Sequence, residues 1–224
     1  MIERWIPNWE RGASGIWLAT LETLEMTFIV GLIAFLLGTL FGVLLVVTKK
    51  GGILENTVLY NVLDKVINGL RAIPFLILMI ALIPLTRAVS GTAIGVTGAI
   101  FPLVVGITPF ISRQIELAIA EIDPGLVEAA QAIGYTPLEI IFSVYLRESI
   151  PSIARVVQIT GINLVGFTTM AGAIGAGGLG DFAIRYGQQR GWTDLLWLTI
   201  AVILVIVSVI QGLGNLVIKY SARY

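Results

Sequence analysis

The sequence predicts an all-α membrane protein, a polytopic helix bundle of about five transmembrane helices. Three observations predict it. Hydrophobic residues make up 57% of the 224 and charged residues only 12%, whereas a soluble domain carries about 25% charged residues. Long runs lack any Asp, Glu, Lys or Arg, and several reach the roughly 17–20 residues that a helix needs to cross a bilayer. Between two of these runs lies one polar, charged segment with its own helix start and stop signals.

Composition narrows the function classes. The formal net charge is +0, so no basic field points to nucleic acid. The chain has no Cys and no His, which removes disulfides, thiol nucleophiles, imidazole bases and the usual zinc ligands. Most enzymes lose their commonest tools by this, whereas a transport role loses nothing. The opening "MIERWIPNWERGASG" lacks the basic start and apolar run of a signal peptide.

The spans follow in order. Residues 28–47 form the first, with Glu22 and Glu25 just before it, near the outer interface. Residues 72–86 are short for a span and contain Pro74 and Pro84. They are expected to extend backwards into the amphipathic stretch 53–70, with Arg71 snorkelling to the interface. Residues 88–112 hold the third, starting near Val96 because "VSGTAIG" reads as a turn, and containing Pro102 and Pro109. Residues 156–180 and 195–218 are the fourth and fifth. Proline in a membrane helix frees a carbonyl that neighbouring helices must satisfy, so these helices belong to a packed bundle. Arg113 and Glu116 read as a surface pair at the end of the third span, worth a few tenths of a kcal/mol.

Five spans place the termini on opposite sides. With the N-terminus outside, nine Lys and Arg face the cytosol and five face out, in keeping with the positive-inside rule. No repeat or linker divides the chain, so 1–224 reads as one transmembrane domain with a cytosolic segment at 121–150.

That segment is the most legible part of the sequence. Asp123 precedes Pro124, a capping acid before the residue favoured at the first helical position. Leu126, Ala129, Ala130 and Ile133 then recur at helical spacing. Gly134 supplies a stop. Thr136-Pro137-Leu138-Glu139 is a capping box, and Leu138, Ile141, Phe142 and Tyr145 share one side of a second helix. Three readings of such a hairpin stay open: an amphipathic element on lipid, a DNA-binding helix-turn-helix, and a docking site for a soluble partner. Asp123, Glu128, Glu139 and Glu148 count against DNA, and two alanines beside Glu128 permit the close approach that a partner surface needs.

The segment resembles the E-A-A loop of permease subunits from bacterial ABC importers. Glu128-Ala129-Ala130, three residues and Gly134 match that pattern. Val144 stands for its Ile, Leu146 matches, and Arg147 departs from its Pro. The wider chain resembles the methionine-importer branch in "GIWLATLETLEMTFIV", "RAIPFLILM", "IPLTRAVSGTAIG", "PLVVGITPFISR" and "GAIGAGGLG". The resemblance implies a type I importer permease of the bacterial inner membrane, working as a homodimer with two cytosolic ATPase subunits and an extracytoplasmic binding protein. It implies that Pro124, Leu126, Glu128, Ala129, Ala130, Ile133, Gly134, Tyr135, Thr136 and Pro137 dock on the ATPase and couple its closure to alternating access. ATP and Mg would belong to that partner, since no GxxxxGK[ST] loop exists here, and this chain would hold no cofactor or metal and catalyse nothing.

Two further features carry double readings. "GAGGLG" at 175–180 matches a dinucleotide fingerprint by letter, but it follows a span rather than a strand. It reads first as a helix end that needs close packing, in a span dotted with Gly161, Gly166, Gly172 and Gly175. Met170, amid Thr169 and Gly172 and two turns beyond Asn163, reads as core packing or as a gate on a transport pathway. Other functions fit less well. A permease for another small amino acid or solute stays within the class. A channel or secondary transporter would keep a charged relay within its spans, and the uncharged runs contain none.

Overall fold

The structure, a computed structural model, describes residues 6–221, and every regular element among them is helical. The charges on Arg4 and Arg223, used above for orientation, lie outside the described residues. Four helices are long and apolar enough to cross a membrane. They are α1 (Trp9–Thr48), α5 (Gly95–Ala120), α8 (Ile150–Gly172) and α10 (Thr193–Ser221). Shorter helices lie between them: α2 (Thr57–Ala72), α3 (Phe75–Ala81), α4 (Ile83–Ser90), α6 (Pro124–Ile133), α7 (Pro137–Ile140) and α9 (Gly178–Phe182). Two π-helical turns, Ile141–Leu146 and Ala183–Gln189, continue α7 and α9.

The second expected span is therefore three pieces. α2 starts at Asn56, whose side chain accepts the Leu59 N–H at 3.0 Å, and it ends because Ile73 turns extended before Pro74. Pro74 caps α3 and Pro84 sits in the first turn of α4, the positions where a missing N–H costs no helix bond. Pro102 and Pro109, by contrast, stay inside α5. Gly91 ends α4 in the left-handed conformation, and α5 begins at Gly95, one residue from the expected start. α1 has 40 residues, about 60 Å at 1.5 Å per residue, so Glu22 and Glu25 are inside the helix rather than before it. α8 begins and ends before the expected 156–180, because a turn at residues 173–177 closes it.

The chain divides into two units. One comprises the N-terminal segment to Ile33, with Pro74–Gly106 and Gly161–Gly212. Its core gathers Ile16, Ala19, Val165, Leu179, Phe182, Leu195 and Ile206. Asn8 fastens the start of α10, donating from its backbone and its side chain to Asp194, each at 2.9 Å. Phe75 meets Phe167 edge-on at 4.5 Å. Phe182, Tyr186 and Trp192 stack in sequence, with the Arg190 guanidinium over the last two rings.

The other unit comprises Ala34–Ile73, Ile107–Thr160 and the chain from Leu213. Lipid is as apolar as leucine, so membrane helices gain from close packing rather than from escape from water. Gly38 and Gly42, one turn apart on α1, leave room for Ile111 and Ile115 of α5, both fully buried. On α8, Gln158 donates to Asn215 of α10 at 2.9 Å. The Arg113–Glu116 pair forms at 2.5 Å, and Asp64 of α2 joins the same guanidinium.

A Cβ at position 42 would sit 2.7 Å from Ile115 Cβ and 2.8 Å from the Ser112 carbonyl. Gly42→Val is expected to cost about 1–3 kcal/mol, read as a lower unfolding temperature in detergent. Gly69→Ala, in the interior of α2 with open space around it, is expected to raise stability by about 0.5–1 kcal/mol.

Candidate functional site

The hairpin between the second and third long spans has the predicted local architecture. Asp123 accepts the Gly125 N–H at 2.9 Å, and Pro124 opens α6. At the other end the Gly134 N–H reaches the Gln131 carbonyl and the Tyr135 N–H reaches the Ala130 carbonyl, both at 3.0 Å. This pairing of last carbonyls requires a left-handed residue, and Gly134 has φ +95° with open space around it. The requirement at 134 is therefore conformational and not steric.

The second helix is fixed by a complete capping box. Glu139 N–H donates to the Thr136 hydroxyl at 3.4 Å, and the Glu139 carboxylate accepts from the Thr136 N–H and its hydroxyl, both at 2.7 Å. The Thr136 backbone N–H and then its hydroxyl hold the Glu139 carboxyl below the usual carboxylate range. Past Ile140 the helix widens into the π turn, which rotates the face it presents. The expected stripe was Leu138, Ile141, Phe142 and Tyr145. The residues buried are Ile140, Val144 and Tyr145, while Leu138 and Phe142 are exposed. Burial pushes the Tyr145 phenol up. Past the far end, Ser149 donates to the Ala118 carbonyl of α5, and Ser152 of α8 donates to the carboxylate of Glu121, just beyond α5.

The first helix holds on by little. Of its predicted apolar residues, only Ala130 is buried. Leu126 is 46% exposed and Ile133 77%. Glu128 and Ala129 are also exposed, as are Pro124, Gly134, Tyr135, Thr136 and Pro137. The chain thus presents apolar side chains on a rigid, doubly capped hairpin outside its long spans. Leu126, Ile133, Leu138 and Phe142 are its large exposed apolar side chains.

The second set of predicted residues divides. Thr169, Met170 and Gly172 come together at the end of α8, with Asn163 two turns earlier. Met170 is 54% exposed. The Thr169 hydroxyl is used within its own helix, donating to the Val165 carbonyl at 2.7 Å. Gly172 is buried, because a Cβ there would meet the Asp181 N–H and the Gly177 carbonyl. Asn163 is half-buried.

Sequence reading missed the anchor of the turn that follows. Gly178 N–H donates to the Glu22 carboxylate at 2.6 Å, and Leu179 N–H to the Thr23 hydroxyl at 2.9 Å. Gly95 N–H, at the start of α5, donates to the Gly175 carbonyl at 2.9 Å. Partners 156 residues apart leave no local pattern to read.

Long apolar helices, a broken segment between them and an exposed capped hairpin define a multi-pass membrane transport component. The chain belongs to the family of binding-protein-dependent transport system inner membrane components, whose profile matches residues 34–220. It is 47% identical over 201 residues to a Vibrio cholerae protein named "Probable D-methionine transport system permease protein MetI", covering 90% of this chain and 89% of that one. It is 41% identical over 217 residues to the Bacillus subtilis "Methionine import system permease protein MetP", covering 97% of each. Among solved structures it superposes on a chain of the MetNI methionine ABC transporter in an inward-facing conformation, with a TM-score of 0.90 and 40% identity, covering 96% of this chain and 98% of that one.

Protonating Glu139 removes the acceptor from the capping box. A carboxyl held below its ordinary value stabilises the hairpin fully above that value, near 4.5, and the contribution is lost as pH falls through the lowered folded value. Protection of the Thr136 and Glu139 amides, read as their exchange relative to an unstructured peptide at the same pH, is therefore expected to fall on acidification below the ordinary range. In Glu139→Gln this step should be absent. Gly134→Ala is expected to cost about 1–2 kcal/mol of local stability, read as faster proteolysis of the hairpin.

Proposed function

We propose that this chain is the permease subunit of an ATP-driven importer of methionine, in which the hairpin of α6 and α7 is the element that an ATPase subunit grips. The single observation that carries the reading is the set of exposed apolar side chains on a hairpin with both ends of its first helix and the start of its second capped. Its rigidity comes from its own caps, so it can transmit a push without deforming, and its exposed side chains are those a partner groove would cover. The identities to methionine permeases over nearly the whole chain support the substrate. They leave the preference between the L- and D-forms open.

In this reading the whole chain acts as one permease domain, paired with a second copy. Two ATPase subunits hold ATP and Mg, and a binding protein delivers substrate from the other face. The N-terminus lies outside and the C-terminus in the cytosol, following the excess of Lys and Arg on the loops so placed. Closure of the ATPase pair on ATP draws the two hairpins together. Ser149, bonded to α5, and Ser152, bonded to Glu121 just beyond it, carry the displacement into the long helices. The bundle then exchanges an inward-facing for an outward-facing arrangement as one bistable element. Glu128, Ala129 and Ala130 lie in the gripped surface, and Met170, with Thr169, Gly172 and Asn163 around it, gates the pathway.

Glu128→Arg reverses a charge on the exposed face, and Gly134→Pro is incompatible with φ +95°. Both variants are expected to lose co-purification with the ATPase subunit while still inserting in the membrane. Wild-type complex in liposomes, with binding protein, is expected to accumulate labelled methionine only when ATP is supplied. Variants that keep the ATPase and couple normally would sink the docking role. A wild-type complex that hydrolyses ATP without moving methionine would sink the substrate.

A further inference from the structure

We propose that Glu22 and Thr23 of α1 are positioning residues for transport, acting as a cap supplied from across the fold that fixes the glycine turn and thereby the end of α8. The proposal rests on the reading of the chain as an importer permease and adds to it a pair of residues remote from the hairpin.

The geometry points to this in three steps. First, the turn at residues 173–177 cannot cap itself. α9 opens at Gly178 with Gly177 before it, and no side chain at that position can accept its first N–H groups. Buried N–H groups need an acceptor. Glu22 and Thr23 accept two of them, from Gly178 and Leu179. Thr23 is 1% exposed, and its hydroxyl is fully engaged, since it also donates to the Ala19 carbonyl at 2.9 Å.

Second, the glycines fit the cap. Gly177 and Gly178 have φ of +80° and +74°. A Cβ on Gly177 would meet the Glu22 carboxylate at 2.7 Å, and one on Gly178 would meet the Thr23 hydroxyl at 2.7 Å. The turn thus needs glycine for its backbone conformation and for the approach of its cap.

Third, the cap reaches the pathway residues through backbone contact. Gly180 packs directly on the Thr169 carbonyl, and Gly172 on the Asp181 N–H and the Gly177 carbonyl. Moving α9 moves that carbonyl, and the next residue is Met170, with its exposed side chain. α1 thus bears on the position of Met170 through α9 and the Thr169 carbonyl. An acceptor oxygen is what the cap requires, and a carboxylate or an amide oxygen supplies it.

The test uses the whole complex with its ATPase subunit, and four forms: wild type, Glu22→Gln, Glu22→Ala and Thr23→Val. The chain has no Cys, so Ala173→Cys, at an exposed turn position, gives this chain a single thiol in each form, read on its own band after labelling. Its labelling by a water-soluble maleimide reads turn position without reference to substrate. Glu22→Gln is expected to match wild type in uptake and labelling. Glu22→Ala and Thr23→Val are expected to retain the ATPase subunit and basal ATP hydrolysis, while uptake falls about tenfold, the scale of one lost hydrogen bond to a charged group, and thiol labelling changes several-fold.

Unchanged labelling and uptake in Glu22→Ala would overturn the proposal. So would loss of the ATPase subunit together with uptake, because that is misfolding. A Glu22→Gln variant that labels as wild type yet fails in uptake would also overturn it, since the charge and not the acceptor would then matter. If the wild type moves no methionine, the substrate reading fails, and the labelling series still decides this one.

Discussion

A polar group in hydrocarbon has no water to turn to, and every backbone N–H and carbonyl must find its partner inside the protein. That constraint organises this chain. Along the long helices it is met by the α-helical ladder, with hydroxyls folded back onto it: Thr20, Thr23, Thr27 and Thr48 of α1, Ser112 of α5, Thr169 of α8 and Thr199 of α10 each donate to the carbonyl four residues before. Where the ladder stops, other devices take over. Prolines sit where an N–H is not needed, at the starts of α3 and α4. Side chains from distant helices reach the rest, as Asn8–Asp194 and Glu22–Gly178 do.

The hairpin of α6 and α7 obeys different chemistry. It lies outside the long spans and satisfies its helix ends locally, within four residues of each end. Its caps need no residue from elsewhere in the chain, and most of its outer face is exposed. The first helix has one buried side chain, Ala130, and the second is anchored by the burial of Ile140, Val144 and Tyr145.

The two regimes explain what could be read from the sequence. Asp123, Gly134, Thr136 and Glu139 are local signals, and the structure uses each as its type and spacing indicate. Long apolar runs revealed α1, α5, α8 and α10, because length and composition alone specify a span. The break at Pro74 and Pro84 was visible as two prolines, but their placement at helix starts was not. Of the four residues placed on one side of the second hairpin helix, Tyr145 is buried, Ile141 half-buried, and Leu138 and Phe142 exposed, in a stretch where a π turn follows Ile140. Gly38 and Gly42 stand four apart, a known signature of close helix packing, and could have been found. The anchoring of the glycine turn could not, since nothing near Glu22 or Gly178 names the other.

That last separation matters for how the protein is made. α1 enters the membrane while residue 178 is still unwritten, and 156 residues intervene. At about 5–20 residues per second the interval is roughly 8–30 s. Throughout it the Gly178 amide that Glu22 accepts from in the finished fold does not yet exist. The contact between the first helix and the glycine turn can form only once both have been made. A chain released before residue 178 lacks that contact altogether.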